Sequence, residues 1–490
     1  MPSLSVCMIV RNEAEQLPRC LENLRGIAEE VIVVDTGSTD GTLDIARLYG
    51  AVCDTIPWQD DFAHARNVSL SYATRDYILV LDADEVLYPD AVTELHACLQ
   101  DVPQAAGFLV HIMNETDGDG VQDMEESVSV RLFRNCPQYR FQGALHEQIA
   151  ESILYANPPG KIFDSRIRVQ HRGYTQSLVM LQGKQQRNLS LAEAEVAAHP
   201  DDAFRTYNLG VEYLRSNRLG DAVAVLAKTR QVINPEALWT SRFYKVYVSA
   251  LMRHGDWGAA EQELKHALFL FPDYTDLHYL LGVLLDQKQE WAAALATFAR
   301  CIQMGNPPVP PYTVEHGLAG YRAYFALGQV FQELGKTGEA VVAYRESFTQ
   351  NPSFTQAYLR FASLLLADST DSDTLTYVSQ VATVAGDRQG ELLGSALALA
   401  GQFELAREWL EPATRTDAGV LYLALTYACT GEVEKLRQLL AQRDSDGQIR
   451  QQVRQYLVQQ GLEIVQQGLQ RFPDSPDLQR LLTEFRKWME

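Results

Sequence analysis

Apolar residues run almost unbroken at Leu4–Val10, 31–34 and 77–81, whereas beyond about residue 190 they recur every three to four positions. The first habit predicts strands buried on both faces, as in a parallel sheet; the second predicts amphipathic helices. Between the strands, residues 14–24 place Leu17, Leu21 and Leu24 on one helical face, and a second helix is predicted through Ala46. A short strand at 51–53 follows, then a helix containing Ala65-Arg66-Asn67. This β-α-β-α-β order predicts an α/β, Rossmann-like, mostly parallel sheet over residues 1–180. A further strand is predicted at 129–133, and the polar stretches 111–127 and 135–165 read as loops.

From residue 190 to 490 the pattern predicts an all-α solenoid. Leu209-Gly210, Leu281-Gly282 and Leu327-Gly328 recur in similar surroundings, followed by Ala222, Ala294 and Phe298, and by Ala340, Tyr344 and Pro352. The first spacing, 72 residues, is about two tetratricopeptide periods of roughly 34, and the second, 46, is one period plus an insertion. Repeats are expected at about 203–236, 241–274, 275–305 and 321–354, with degenerate hairpins over 355–490 and a terminal cap at 478–488. Asn306-Pro307-Pro308-Val309-Pro310-Pro311 would be a rigid insertion. The aromatic residues Tyr244, Tyr247, Phe269, Phe271 and Tyr279 read as core of the solenoid, the alternative being a peptide-binding stripe on its concave face.

Length supports the division, since 490 residues exceed a single core. Net charge is −21, and residues 1–180 hold 13 Lys+Arg against 27 Asp+Glu, with Lys161 the sole lysine among them. That balance argues against nucleic-acid binding and against a polybasic lipid anchor. Seven scattered cysteines without a CxxC pair argue against disulfides and structural zinc. A reducing, cytoplasmic setting is expected, with no leader peptide and no transmembrane segment.

The chemistry is concentrated at Leu81-Asp82-Ala83-Asp84-Glu85, where a buried strand ends in three carboxylates. Open α/β sheets bind ligands at such strand ends. Crowded carboxylates suit a hard divalent cation completed by phosphate oxygens; a solvated acidic turn is the plainer alternative. The turn Asp35-Thr36-Gly37-Ser38-Thr39-Asp40-Gly41-Thr42 leads into a helix start, where free N–H groups receive anions or base edges. It is also explained by Gly37 and Gly41 permitting the turn while Ser38 or Asp40 caps the helix. Arg66 suits either phosphate oxygens or a surface ion pair with Asp60 or Asp61.

These elements resemble the family 2 glycosyltransferases of GT-A fold: the first strand with Arg11-Asn12-Glu13, the VIVVDTGSTDGT turn, Ala65-Arg66-Asn67 and LDADE, in matching order over about residues 3–90. With Trp58 and Asp60-Asp61-Phe62, they look like a bacterial subgroup fused to tetratricopeptide repeats. The resemblance implies a nucleotide-sugar donor (a UDP-, GDP- or dTDP-sugar), Mn²⁺ or Mg²⁺, and inversion at the anomeric carbon. It places Arg11, Asn12, Glu13 and Asp35 at the nucleoside, Asp82 at the ribose or behind the metal's ligands, and Asp84 on the metal.

An inverting transfer needs a base for the acceptor proton. Glu147, in Phe141-Gln142-Gly143-Ala144-Leu145-His146-Glu147, is expected in that role, the alternative being a surface His-Glu pair on a strand. Glu115 and Asp117 are fallback bases on a loop. His171 is a candidate third metal ligand or a structural histidine. The repeats are expected to recruit the acceptor, possibly a protein or peptide. The rival reading is a repeat scaffold with an inactive transferase domain.

Overall fold

The computed structural model describes residues 2–456 except 103, 119–120, 158–160, 173–177, 444–446, 450 and 454, together with Gln479. The expected cap at 478–488 and most of the hairpin before it lie outside the described residues. Two compact units divide between Ala323 and Tyr324.

The sheet of the first unit contains β1 (Leu4–Val10), β2 (Glu30–Asp35), β3 (Val52–Thr55), β4 (Tyr77–Val80), β5 (Glu85–Leu87), β6 (Ala105–Gly118), β7 (Val121–Arg134), β8 (Lys161–Arg172) and β9 (Val314–Glu315). Its order is β3-β2-β1-β4-β7-β6-β8-β5, with β9 against β7. Strands β1 to β4 are mutually parallel. Beyond them the sheet is mixed: β7 runs antiparallel to β4 and β6, while β6 and β8 are parallel. The unbroken apolar runs have a direct cause. Leu4, Val6, Met8 and Val10 enter one core with Leu17 and Leu21 of α1 (Leu17–Asn23). Cys7, Ile32, Ile78 and Val80 enter a second core on the other face. Around the sheet lie α2 (Thr42–Leu48), α3 (Phe62–Tyr72), α4 (Ala91–Asp101) and α5 (Ala150–Ala156).

The stretch 111–127, expected as a loop, belongs instead to a long hairpin. β6 pairs with β7 from Gly107 to Gly118 and with β8 from Ala105 to Glu115. Asn114-Glu115-Thr116-Asp117-Gly118 has the composition of a turn, but hydrogen bonding on two sides outweighs that weak preference. Glu115 therefore lies on a strand, and the side chain of Asp117 lies outside the described residues. The segment 135–165 is interrupted by α5 and by the start of β8.

Helical pairs follow: α6 (Leu178–Ala198), α7 (Ala203–Arg215), α8 (Leu219–Val232), α9 (Thr240–His254), α10 (Trp257–Leu270), α11 (Thr275–Gln287) and α12 (Trp291–Met304). α6 straddles the boundary expected at 180–190, and the packing boundary falls later for a structural reason. The insertion after α12 returns to the sheet, where Val314 and Glu315 of β9 pair with Glu126 and Glu125 of β7. His316 adds a backbone bond to Met124, at 2.8 Å. β4 reaches β7 only over Leu132 to Arg134, so β9 covers an otherwise open strand edge. Arg242 of α9 pairs with Glu125 at 3.0 Å, and Lys245 bridges Asp276 and Glu315.

The second unit holds most of α13 (Tyr321–Glu333), then α14 (Thr337–Gln350), α15 (Thr355–Asp368), α16 (Ser372–Ala382), α17 (Gln389–Leu399), α18 (Phe403–Ala413), α19 (Asp417–Thr430) and α20 (Val433–Arg443). One packing device recurs in both units. A glycine on the first helix of a pair faces a bulky residue on the second, always sixteen positions later: Gly210 with Leu226, Gly282 with Phe298, Gly328 with Tyr344 and Gly394 with Leu410. A Cβ at Gly282 would stand 2.5 Å from a Phe298 ring carbon, and one at Gly328 2.6 Å from Tyr344. Each Gly→Ala change is expected to destabilise by about 1–3 kcal/mol through overpacking. Thermal unfolding checks this, with Gly338→Ala, where a Cβ meets nothing within 4 Å, as the control that loses no stability.

Candidate functional site

The order β3-β2-β1-β4 makes the chain turn one way from β1 through β2 and on its other side through β4. A crevice is expected beyond the carboxyl ends of β1 and β4. The predicted residues gather there in three groups.

The first is the wall formed after β1 and β2. Asp35 is buried, and its Oδ1 accepts from the backbone N–H groups of Gly37 and Ser38 at 2.9 and 2.8 Å. Asn12, at φ 56°, donates its backbone N–H to Ser38 Oγ at 2.8 Å and accepts from Thr39 N–H at 2.7 Å. Glu13 N–H donates to Thr42 Oγ1 at 2.8 Å. The two loops are thus stitched into one surface, with Arg11 exposed beside them. α2 starts at Gly41 without a side-chain cap, although Asp40 accepts from Thr42 N–H at 3.0 Å.

The second group is an ion network under the crevice floor. Arg66 on α3 donates from Nη2 to Asp82 Oδ1 at 2.8 Å and from Nε to Glu147 Oε1 at 2.5 Å. Arg131 on β7 reaches Asp82 Oδ2 at 3.4 Å and Glu85 Oε1 at 3.5 Å. The other Glu85 oxygen accepts from Asp82 N–H at 2.8 Å, so this buried carboxylate closes the turn between β4 and β5. Burial alone would raise Asp82, but Arg66 and then Arg131 hold it well below the usual carboxylate range. Burial raises Glu85 despite Arg131.

The surface ion pair considered for Arg66 needs correction. The guanidinium is buried and bridges two carboxylates, leaving buried Nη1 without a hydrogen bond. Neither Asp60 nor Asp61 is its partner: Asp61 accepts from His64 N–H as the N-cap of α3, and Asp60 accepts from Trp58 Nε1–H. Likewise Glu147 belongs to no strand and is mostly buried, with 13% of its side chain exposed. His146 is paired separately with Glu212. Arg66→Ala is expected to leave Glu147 without its cation and Asp82 with Arg131 alone. Breaking such a pair costs about 3 kcal/mol or more. Calorimetry should show melting about 10 °C lower, at roughly 2–4 °C per kcal/mol for domains of this size.

The third group joins Asp84 and His171. β5 pairs with β8 so that Glu85 stands opposite His171. His171 Nε2 lies 3.2 Å from Asp84 Oδ2, while its Nδ1 lies 2.9 Å from Asn114 Oδ1. The Asp84 contact pushes the imidazole up to about 9 against its burial, helped by the charges of Asp84, Glu85 and Asp82. Among the described residues no set of three or more His, Cys, Asp or Glu is arranged to hold a metal by itself. A carboxylate and an imidazole converging at one point still suit a divalent ion that keeps positions for phosphate oxygens.

Sequence reasoning missed Arg131, Asn114 and Glu212. Arg131 alone carried a signal: an arginine inside the alternating run Ser127-Val128-Ser129-Val130-Arg131-Leu132-Phe133. The fallback base Glu115 is engaged by the amide of Gln170. Among the described residues no helix is long and apolar enough to cross a membrane.

Comparison with known proteins agrees with this layout. Residues 5–153 match the family model for glycosyl transferase family 2, and residues 248–307 and 321–354 match tetratricopeptide repeat models. A TPR repeat-containing protein of Synechococcus elongatus is 39% identical over 274 residues, 55% of this chain and 66% of that protein. The prophage-derived glycosyltransferase SunS of Bacillus subtilis is 26% identical over 246 residues, 46% of this chain and 53% of its own length. The chain therefore spans between half and two thirds of these curated relatives. Among solved structures, S. aureus TarS 1-349 in complex with UDP-GlcNAc superposes with a TM-score of 0.31 at 16% identity, over 51% of this chain and 85% of that one. The chain carries a family 2 glycosyltransferase domain followed by tetratricopeptide repeats.

Proposed function

We propose that the chain is a metal-dependent, inverting glycosyltransferase that moves a sugar from a nucleoside-diphosphate sugar to an acceptor recruited by its repeats. The observation that carries this reading is the convergence of Asp84 and His171 at the carboxyl end of the sheet, beside the wall built from residues 11–13 and 35–42. Asp84 and His171 would hold Mn²⁺ or Mg²⁺, which when bound offsets charge on the departing diphosphate. Asp35, Arg11, Asn12 and Glu13 would face the nucleoside, the rigid turn after β2 fixing the surface it meets. Asp82, kept ionised by Arg66 and Arg131, would sit at the ribose or behind the metal's ligands. Glu147 would take the acceptor proton through the oxygen that Arg66 does not engage. Arg66 aligns Asp82 and Glu147 with each other, and its Nη1, which makes no hydrogen bond, is the atom left for a donor phosphate oxygen.

Tetratricopeptide arrays present extended concave surfaces, which supports a polypeptide acceptor. The deciding experiment presents UDP-, GDP- and dTDP-sugars with Mn²⁺ and measures thermal stabilisation and release of the nucleoside diphosphate. One nucleotide class is expected to stabilise the protein and to be hydrolysed slowly. No stabilisation by any of them would favour a repeat scaffold whose transferase domain is inactive.

A further inference from the structure

Glu147 ends a run of four residues whose other three members are tied to the first helices after the sheet. Ala144 N–H donates to Glu195 Oε1 of α6 at 2.6 Å, and its carbonyl accepts from Phe62 N–H at the start of α3 at 3.0 Å. Leu145 is buried in the apolar cluster of Leu189 and Ala192 from α6 and Tyr207 and Leu209 from α7. His146 adopts φ 56°, uncommon for a residue with a side chain, and its Nε2 lies 3.2 Å from Glu212 Oε1 of α7. Glu212 is 1% exposed and also accepts from Arg215, while Glu195 lies 3.6 Å from Arg205 Nε. The loop's regular backbone pairing is limited to one bridge, Gln142 with Gln148. Its conformation therefore depends on these side-chain attachments.

We propose that Glu195 and Glu212 are positioning residues of the transfer reaction: α6 and α7 hold the 144–147 loop so that Glu147 faces the acceptor. The repeats are then part of the catalytic scaffold as well as a recruiting surface. This rests on Glu147 being the base. Displacing a reacting group by about 1 Å can lower rate by about 10²-fold without touching the group itself.

The test uses the full chain with Glu212→Ala, Glu212→Gln and Glu195→Ala. Release of UDP from a UDP-sugar with Mn²⁺ is measured alongside amide hydrogen exchange over 143–148 and over 82–85. For Glu212→Ala, release at saturating donor should fall about 10- to 100-fold with the donor KM unchanged. Exchange should rise at 143–148 only, and Glu212→Gln, whose amide oxygen still accepts from His146, should restore both. Unchanged exchange at 143–148, or release within about twofold of the starting protein, would overturn the proposal. Should Glu212→Ala not fold, Glu195→Ala removes the attachment on the other side and is read in the same way. A parent protein that releases no diphosphate from any donor would sink the transferase reading, and the exchange data would still decide whether these carboxylates hold the loop.

Discussion

Replacing Asp84 by Asn is expected to lower Mn²⁺-dependent release of nucleoside diphosphate by about 10³-fold. A Lewis acid at a departing phosphate contributes several kcal/mol, and about 4 kcal/mol corresponds to that factor. Little else in the domain can replace it, because Lys161 is the only lysine in residues 1–180 and Arg66 and Arg131 are committed to Asp82, Glu85 and Glu147. The substitution keeps the volume of the side chain, and Asn can still accept from His171. Folding should therefore be intact by calorimetry, while the stabilisation given by Mn²⁺ with the donor disappears. Wild-type release by this variant would remove the metal from the proposed mechanism.

The second large effect concerns Glu147→Gln. Removing a positioned base costs about 10²–10⁴-fold, and glycosyl transfer should fall within that range. The Gln carbonyl still accepts from Arg66 Nε–H, so Asp82 keeps its neighbour and donor binding survives. Titration of the variant with nucleotide sugar separates the two properties: unchanged affinity with lost transfer is the expected pair of results. Retained transfer would assign the proton to another group.

How legible all this was in the sequence varied with the kind of interaction involved. β1, β2 and β4 were readable because strands buried on both faces leave unbroken apolar runs, and Asp82 and Asp84 followed from where β4 ends. The β6–β7 hairpin was not, since Asn114, Glu115 and Asp117 carry the composition of a turn while the pairing that fixes them comes from β7 and β8. β9 spans two residues, too short for any periodicity. The ion network was the hardest, because Arg66 meets Glu147 across 81 positions and nothing local in either segment announces the other. Spacing suggested Asp60 or Asp61 as partners, but Asp61 caps the start of α3 and Asp60 accepts from the Trp58 indole. The glycine-to-bulky register of the helical pairs was half visible: Gly210, Gly282 and Gly328 marked the repeats together with Phe298 and Tyr344, while the contact between each glycine and its partner, and the Gly394–Leu410 pair, became evident only from the packing.

The short strand β9 bears on how such a chain can be rearranged. A transferase cassette cut free at the end of its own sheet would leave behind the segment that shields β7, and with it the cations that meet Glu125 and Asp276. Grafting the domain onto a foreign solenoid would therefore require carrying residues 306–316 along. Recombination between relatives would be tolerated more readily after this segment than before it.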